Sequence, residues 1–386
     1  MTVIPFDHSR FDDSLADAGV DAVIATTKHN VQYLLGGYRY FFFANMDAIG
    51  LSRYLPAVGY LRGRPDDAFY VGCGNEDWGT EVDPPWVSDV QNTSWSSVDT
   101  GHAVAAALRK RGLENATIAV ELAFIPADCI DVLRQELPGV TVLDAQTLLE
   151  TLRGVKSSAE LELVEKASVG IIDSMLATFE DVRPGMTKFD IVERFRRHQT
   201  DRGMVFDYCL IAAGPSLNRA PSSEPWNPNT VLSLDSGGMF HGYIGDLARM
   251  AVHNEPTDLM LELMDEIEAV QQAARTVVRA GARGADIFDV ANAQLAESRH
   301  RADMKFVAHG MGLITHEVPR LTSTGPVPYP GDHAEKPLAT GNVLSIETWV
   351  EDATVGFVKL EDTLVVTDDG WSAPGDTGRG YNVITE

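Results

Sequence analysis

The chain has 386 residues, 44% hydrophobic and 23% charged, which is typical of a globular protein long enough for two domains. Its net charge of −25 argues against nucleic acid and an anionic membrane surface as partners, because both favour a basic protein face. The excess of acidic residues would keep the protein soluble, or part of it would form a metal site, or both. Three scattered cysteines, no membrane-spanning apolar run and no signal-peptide pattern predict a cytoplasmic protein.

Residues 1–150 alternate short strand-like and helix-like stretches, which is typical of an α/β domain. Residues 21–27 and 117–122 have the composition of buried strands, and residues 101–112 have that of a helix ending at Gly112. An aromatic segment, residues 36–54, interrupts the alternation. Its three consecutive phenylalanines cannot all face one side of a regular element, so they fill the core or form a dimer contact or pocket wall.

A boundary follows at the sequence LRGVKSSAELELVEKA, where Ser157 or Ser158 can cap a helix that Pro184 and Gly185 stop. Two more helices are predicted, at about residues 187–202 and 257–280. Strand-like segments lie between and after them: VLSLDSGG, GYIGDLARMAV, NVLSIETWV and FVKLEDTLVV. The second half is therefore predicted to be α+β, with helices covering one face of a curved, mostly antiparallel sheet.

The first two of these strands contain a pair of aspartates. A hairpin centred between Phe240 and His241 would place Asp235 directly opposite Asp246. Directly opposed residues have Cβ atoms roughly 5 Å apart. Two buried carboxylates at that separation need a cation, a shared proton or solvent.

The last two strands contain a pair of glutamates. A hairpin centred on Thr354 would place Glu347 opposite Glu361, each after an apolar residue in an apolar strand. Glutamate is rarely buried without a partner, so these residues also indicate a cation site. His309 lies in an HGMG sequence. A lone histidine there would usually be structural, but four acidic partners favour it as a fifth metal ligand.

Charge suggests the number of ions. The four carboxylates carry −4, so two divalent ions would balance them and could still hold a bridging hydroxide. Oxygen-rich ligation with one imidazole suits Mn²⁺, Fe²⁺, Co²⁺ or Zn²⁺. Such a site activates water at neutral pH and polarises a carbonyl, which predicts a metal-dependent hydrolase.

The order Asp, Asp, His, Glu, Glu, with the HGxG sequence, a downstream HExP and a closing LED, resembles metallopeptidase family M24. This is the pita-bread family of Xaa-Pro aminopeptidases, prolidases and methionine aminopeptidases. The boundary sequence resembles the join between a creatinase-type N-terminal domain and the catalytic domain. The resemblance implies an α/β creatinase-like domain over residues 1–153, an α+β pita-bread domain over residues 154–386, and a homodimer.

The resemblance also implies roles for the matching residues. The implied metal ligands are Asp235, Asp246, His309, Glu347 and Glu361. Asp246 and Glu361 would bridge two ions, Glu347 would shuttle the proton of the attacking water, and His316 would stabilise the tetrahedral intermediate. The implied activity is cleavage of a peptide bond by an Xaa-Pro dipeptidase or aminopeptidase. Manganese is the expected ion, with zinc, cobalt or iron as alternatives.

Several positions depart from the peptidase pattern. Thr348 and Trp349 stand where the family has Pro-Gly, Lys359 stands where arginine is common, and residues 212–226 lack the usual substrate-binding histidine. An alternative is therefore an enzyme of this fold acting on a small metabolite such as ectoine, creatine or dimethylsulfoniopropionate. Aromatic side chains could enclose an onium group: Tyr38, Tyr40, Phe41, Trp226 and Trp349. A non-catalytic binding module is disfavoured because all five ligands are present.

Overall fold

The computed structural model describes residues 3–44, 53–324 and 330–385. The chain divides into two compact units, Met1–Arg153 and Gly154–Glu386. Among the described residues, no helix is both long and apolar enough to cross a membrane.

The first unit is an α/β unit with one six-stranded sheet. Its elements are α1 (His8–Asp17), β1 (Ala22–Ala25), α2 (Lys28–Leu34), β2 (Ala57–Leu61), β3 (Phe69–Cys73), α3 (Asp77–Val82), β4 (Asp89–Ser94), α4 (Ser97–Lys110), β5 (Thr117–Val120), α5 (Ala127–Glu136), β6 (Thr141–Asp144) and α6 (Gln146–Arg153). The strand order is β4-β3-β2-β1-β5-β6. Apolar residues of α4 and α5 pack with those of the central strands β1 and β5 in one core, and these two strands are buried almost throughout.

The aromatic segment of this unit is only partly described. Tyr38, Tyr40 and Phe43 are buried, as core filling predicts, whereas Phe41 is 58% exposed. Residues 45–52 lie outside the described residues. A role of this segment in a dimer contact or a pocket wall stays a prediction.

The second unit is built around an eight-stranded sheet. Its elements are α7 (Ser158–Asp181), α8 (Lys188–Asp201), β7 (Val205–Ala213), β8 (Val231–Phe240), β9 (Tyr243–His253), α9 (Asp258–Arg275), α10 (Gly284–Glu297), β10 (Met304–Gly310), β11 (Val343–Asp352), β12 (Gly356–Val366), β13 (Trp371–Ser372) and β14 (Tyr381–Ile384). The main strand order is β10-β11-β12-β9-β8-β7, and its pairings are antiparallel. Helix α9 packs on β11 and β12, whereas α7 packs on β8 and β9 and α8 packs on β7.

The aspartate hairpin has a different register from the predicted one. Strands β8 and β9 are joined by a two-residue turn of His241 and Gly242, whose φ angles are 49° and 87°. Positive φ at both turn residues matches the twist of the flanking strands, and glycine adopts it without strain. The turn is therefore one residue later than predicted. Asp235 and Asp246 are offset by two residues instead of directly opposed, so that prediction is wrong.

The glutamate hairpin has the predicted register. Glu347 of β11 pairs directly with Glu361 of β12. Ala248 of β9 is the pairing partner of both Glu361 and Asp235. This shared neighbour brings the two hairpins together at the centre of the sheet.

Candidate metal centre

The five residues predicted to bind metal lie on five neighbouring strands: Asp235 on β8, Asp246 on β9, His309 on β10, Glu347 on β11 and Glu361 on β12. Their side chains are buried or nearly so. One ligand atom each of Asp246, His309 and Glu361 lies within 4.8 Å of the other two. Two carboxylates and an imidazole at this spacing form a donor set that suits a divalent transition-metal ion.

Lys359 reaches into the same cluster of carboxylates. Side chains two residues apart in a strand lie on one face, so Lys359 shares a face with Glu361. Its Nζ atom lies 2.5 Å from Asp235 Oδ2, 2.7 Å from Glu347 Oε2 and 2.8 Å from Glu361 Oε2. No role was predicted for this lysine, although the two-residue period of a strand was a signal that could have placed it beside Glu361.

Arg219 is a second cation at the centre. Its Nη2 atom donates a hydrogen bond to Asp235 Oδ2. Its guanidinium lies 4.4 Å from the ring centroid of Phe357, which stacks with Trp349 at 6.3 Å. Arg219 belongs to residues 212–226, for which the prediction concerned only a missing histidine. It lies outside any regular strand or helix, so no periodicity could have predicted its direction.

Hydroxyl groups orient two of the carboxylates. The Tyr208 hydroxyl donates a 2.6 Å hydrogen bond to Asp246 Oδ1, and Ser345 Oγ donates a 2.8 Å bond to Glu361 Oε1. The tyrosine ring passes over Gly237, where an added Cβ would lie 2.5 Å from a ring carbon. Supporting bonds of this kind hold metal ligands in one orientation.

The loop after β10 places His316 against His309. The two imidazole rings stack with centroids 3.7 Å apart. Two backbone hydrogen bonds hold this loop against Gly310. The Gly310 N–H donates to Pro319 O, and the Gly310 carbonyl accepts from Glu317 N. A Cβ on Gly310 would lie 2.3 Å from the Pro319 nitrogen, so the HGMG sequence needs glycine here. The structure thus brings together the two histidines that were predicted to belong to the site.

The pKa values at the centre indicate excess negative charge. Burial raises the pKa of Asp246 well above its usual range, and the charges of Glu361 and Asp235 add to the effect. Burial and the charge of Glu347 raise the pKa of Glu361 to about 7. Burial also opposes ionisation of Glu347, but Lys359 and His309 outweigh it and hold that pKa low. A bound cation would relieve this repulsion.

His316 is held neutral near pH 7. Burial lowers its pKa to about 4, and the neighbouring charge of His309 acts in the same direction. A neutral imidazole has one N–H to donate.

Trp226 does not contribute to an aromatic enclosure. It is fully buried in the core under β8, and its indole nitrogen donates to Thr230 O at 3.2 Å. The prediction that it could surround a ligand is therefore wrong. Of the proposed aromatic residues in this unit, Trp349 remains, beside the centre.

Comparison with known proteins identifies the family. Residues 163–368 match the family model of metallopeptidase family M24, and residues 8–155 match that of the creatinase/prolidase N-terminal domain. The chain belongs to metallopeptidase family M24. Membership confirms the resemblance that the ligand order indicated, and it confirms the prediction of a metal-dependent hydrolase.

The relatives of this M24 chain include named peptidases. The Xaa-Pro dipeptidase of Lactobacillus delbrueckii subsp. lactis is 25% identical over 75% of this chain and 78% of its own length. The Xaa-Pro dipeptidase of Lactobacillus helveticus is 23% identical over 77% of this chain and 83% of its own length.

Solved structures share the M24 architecture. An Xaa-Pro dipeptidase from Bacillus anthracis has a TM-score of 0.79 at 17% identity, covering 98% of this chain and 99% of its own. The prolidase from Pyrococcus horikoshii OT3 has a TM-score of 0.76 at 18% identity, with the same coverage. These likenesses confirm the creatinase-type α/β unit and the pita-bread α+β unit.

Proposed function

We propose that this M24 chain is a metal-dependent peptidase that cleaves Xaa-Pro peptides. The observation that carries the proposal is the buried donor set of Asp246, His309 and Glu361, with Glu347 and His316 beside it. The names of the relatives, Xaa-Pro dipeptidases, support the choice of substrate.

A metal ion fits the residues that surround this centre. The proposed ligands are Asp235, Asp246, His309, Glu347 and Glu361. His309 Nδ1 lies 3.2 Å from Gly310 O, and donation of its N–H there would leave the Nε2 lone pair for the ion. A divalent ion in such a site lowers the pKa of water and polarises a carbonyl.

Glu347 is the proposed proton shuttle. It lies beside the proposed donor set, where an ionised carboxylate can accept a proton from the attacking water. Oε2 lies 2.7 Å from Lys359 Nζ, and this contact holds the carboxylate in one orientation, from which it could pass the proton to the leaving nitrogen. An ion on His309 Nε2 would replace the 3.0 Å contact of that nitrogen with Oε1.

His316 is the proposed stabiliser of the developing oxyanion. Its neutral imidazole can donate one N–H to the scissile carbonyl oxygen. The stacking against His309 keeps the ring beside the metal ligands. A donor already positioned where charge develops stabilises the transition state more than the ground state.

A substrate panel tests the proposed function. Purified protein loaded separately with Mn²⁺, Zn²⁺ or Co²⁺ is incubated with Xaa-Pro dipeptides, Xaa-Pro tripeptides and matched peptides lacking proline. We expect hydrolysis of Xaa-Pro substrates only, and the ratio of dipeptide to tripeptide rates would separate a dipeptidase from an aminopeptidase. Absence of turnover across the panel, with a thermal shift from ectoine, creatine or dimethylsulfoniopropionate, would favour the metabolite alternative.

The shuttle is tested by Glu347→Gln, which keeps the shape of the side chain but removes its basicity. We expect kcat to fall by roughly 10²–10⁴, the usual contribution of a positioned acid-base group. At least one metal ion should remain bound, as measured by elemental analysis. Glu351→Gln, at an exposed position of the same strand, is the matched control and should leave kcat unchanged. Wild-type activity in Glu347→Gln would contradict the assignment.

A further inference from the structure

The charge at the proposed metal centre differs from that of its carboxylates alone. The expectation of two ions counted only the −4 of Asp235, Asp246, Glu347 and Glu361. Lys359 and Arg219 each add one positive charge in direct contact with this cluster, which leaves −2 when all four carboxylates are ionised, as they must be to bind a metal ion. One divalent ion neutralises that remainder. A second would leave a net positive charge in a buried site, which is costly without further partners.

The two cations are concentrated on one side of the centre. An ammonium group has three N–H donors, and each of the three contacts of Lys359 is made to a different carboxylate. Lys359 and Arg219 both contact the same oxygen, Asp235 Oδ2. An ion that used this oxygen would have to displace both groups, and the Lys359 side chain is only 5% exposed.

The other side offers a compact donor set to an ion. Asp246 receives its hydrogen bond at Oδ1 from the neutral hydroxyl of Tyr208. Asp246, His309 and Glu361 supply the three ligand atoms that lie within 4.8 Å of one another. Glu361 lies between the two sides, because its Oε2 also contacts Lys359 Nζ at 2.8 Å. Asp235 is therefore the carboxylate that both protein cations contact, and Asp246 and His309 are the members of the donor set that neither cation contacts.

We propose that Lys359 and Arg219 are resident cations on the Asp235 side of the centre, so that the protein binds one divalent ion, on Asp246, His309 and Glu361, instead of two. This inference rests on the proposed function in one respect, that the centre binds metal. It deepens that function by replacing the second ion with two side chains of this chain.

The number of bound ions tests the inference without reference to activity. The full-length protein is loaded with excess Mn²⁺, freed of unbound metal and measured by elemental analysis, and calorimetric titration of the metal-free protein gives the stoichiometry. We expect one ion per chain in the wild type. In Lys359→Met we expect a second ion to bind at least about tenfold more tightly than in the wild type, since a buried like charge is removed.

Three further variants complete the test. Arg219→Gln, at a side chain 28% exposed, should also strengthen the second site and serves if Lys359→Met does not fold. Lys359→Arg keeps the charge and should bind one ion. Arg283→Gln removes an exposed cation paired with Asp286 and Glu335, and should also bind one ion.

The outcomes separate this inference from the proposed function. Two tightly bound ions in the wild type would overturn the inference and leave a metallopeptidase. One ion in the wild type with no second ion in either neutral variant would also overturn it, because the cations would not be what excludes the second ion. No bound ion in any variant would overturn the proposed function as well.

Discussion

Cys73, Cys129 and Cys209 are free thiols, and all three are buried. Burial raises the pKa of Cys129 to about 12, and it also raises the pKa of the other two thiols. Only the thiolate is nucleophilic, and an ordinary cysteine has a pKa of about 8.5. Since a raised pKa favours the protonated form, these thiols should stay unreactive at a pH at which an exposed cysteine is largely ionised.

Alkylation of the native protein checks this expectation. At about pH 9, where a thiol of ordinary pKa is mostly thiolate, iodoacetamide should label none of the three cysteines rapidly. The same treatment in urea should label all three. Rapid labelling of Cys129 in the folded chain would contradict the raised pKa, whereas slow labelling that follows local opening would not.

At the level of single residues, the sequence predicted those site residues whose type stands out from the strand around them. Glu347 and Glu361 are carboxylates in apolar strands, and their pairing follows from the two-residue period. The same period would have placed Lys359 on the face of Glu361, but its effect on the charge of the centre follows only from its contacts in the structure. Arg219 could not be predicted, because its position depends on an irregular segment and on the face of Phe357.

Helix α7 shows how a local signal sets the start of an element. Ser157 accepts a hydrogen bond from Glu160 N, and the Glu160 side chain accepts one from Ser157 N at 2.8 Å. This capping box satisfies two backbone donors that the helix itself leaves unpaired. Ser157→Ala should therefore lower the free energy of unfolding by about 1 kcal/mol.

Urea denaturation measures this change, and the neighbouring serine provides the control. Ser158 is the first residue of α7 and not its N-cap, so Ser158→Ala should change the stability by less than about 0.5 kcal/mol. The free energies of unfolding of both variants are compared with that of the wild type, with the same slope of free energy against urea concentration for all three. Equal destabilisation by the two substitutions would show that the cap is not what stabilises the helix start.

Strand existence was easier to predict than strand register. Apolar composition located β8, β9, β11 and β12, but the centre of the aspartate hairpin depended on which residue takes the second turn position. Gly242 takes that position, with a φ angle of 87°. Asp235 therefore pairs with Ala248, two residues beyond the predicted partner Asp246. Asp235 and Asp246 still lie at the proposed metal centre despite this offset. Ala248 pairs with both Asp235 and Glu361, so the aspartate hairpin lies next to the glutamate hairpin in the sheet.

At the scale of the whole chain, the predicted architecture depended on order along the sequence. Alternating strands and helices indicated the α/β unit, and the ligand order indicated the pita-bread unit before any contact was known. Packing could not be predicted in the same way. The clusters that bury α9 against β11 and β12, α7 against β8 and β9, and α8 against β7 depend on long-range contacts.

The division of the chain into two compact units predicts a local effect of metal on stability. All five proposed ligands belong to Gly154–Glu386, and the apolar cluster around α4, α5, β1 and β5 belongs to Met1–Arg153. A ligand that binds only the folded state stabilises it by about 2.7 kcal/mol at 100 times its dissociation constant. Amides of the second unit that exchange by its global unfolding should then exchange about 100-fold more slowly.

Hydrogen exchange read peptide by peptide by mass spectrometry tests this in the full-length chain. Mn²⁺ should slow exchange in the core strands of Gly154–Glu386, a chelator should reverse the effect, and peptides of Met1–Arg153 should be unchanged. His309→Ala is the control, because it removes the only proposed nitrogen ligand and should abolish the slowing. Equal slowing in both units would mean that they unfold together, and slowing that persists in His309→Ala would place the ion elsewhere.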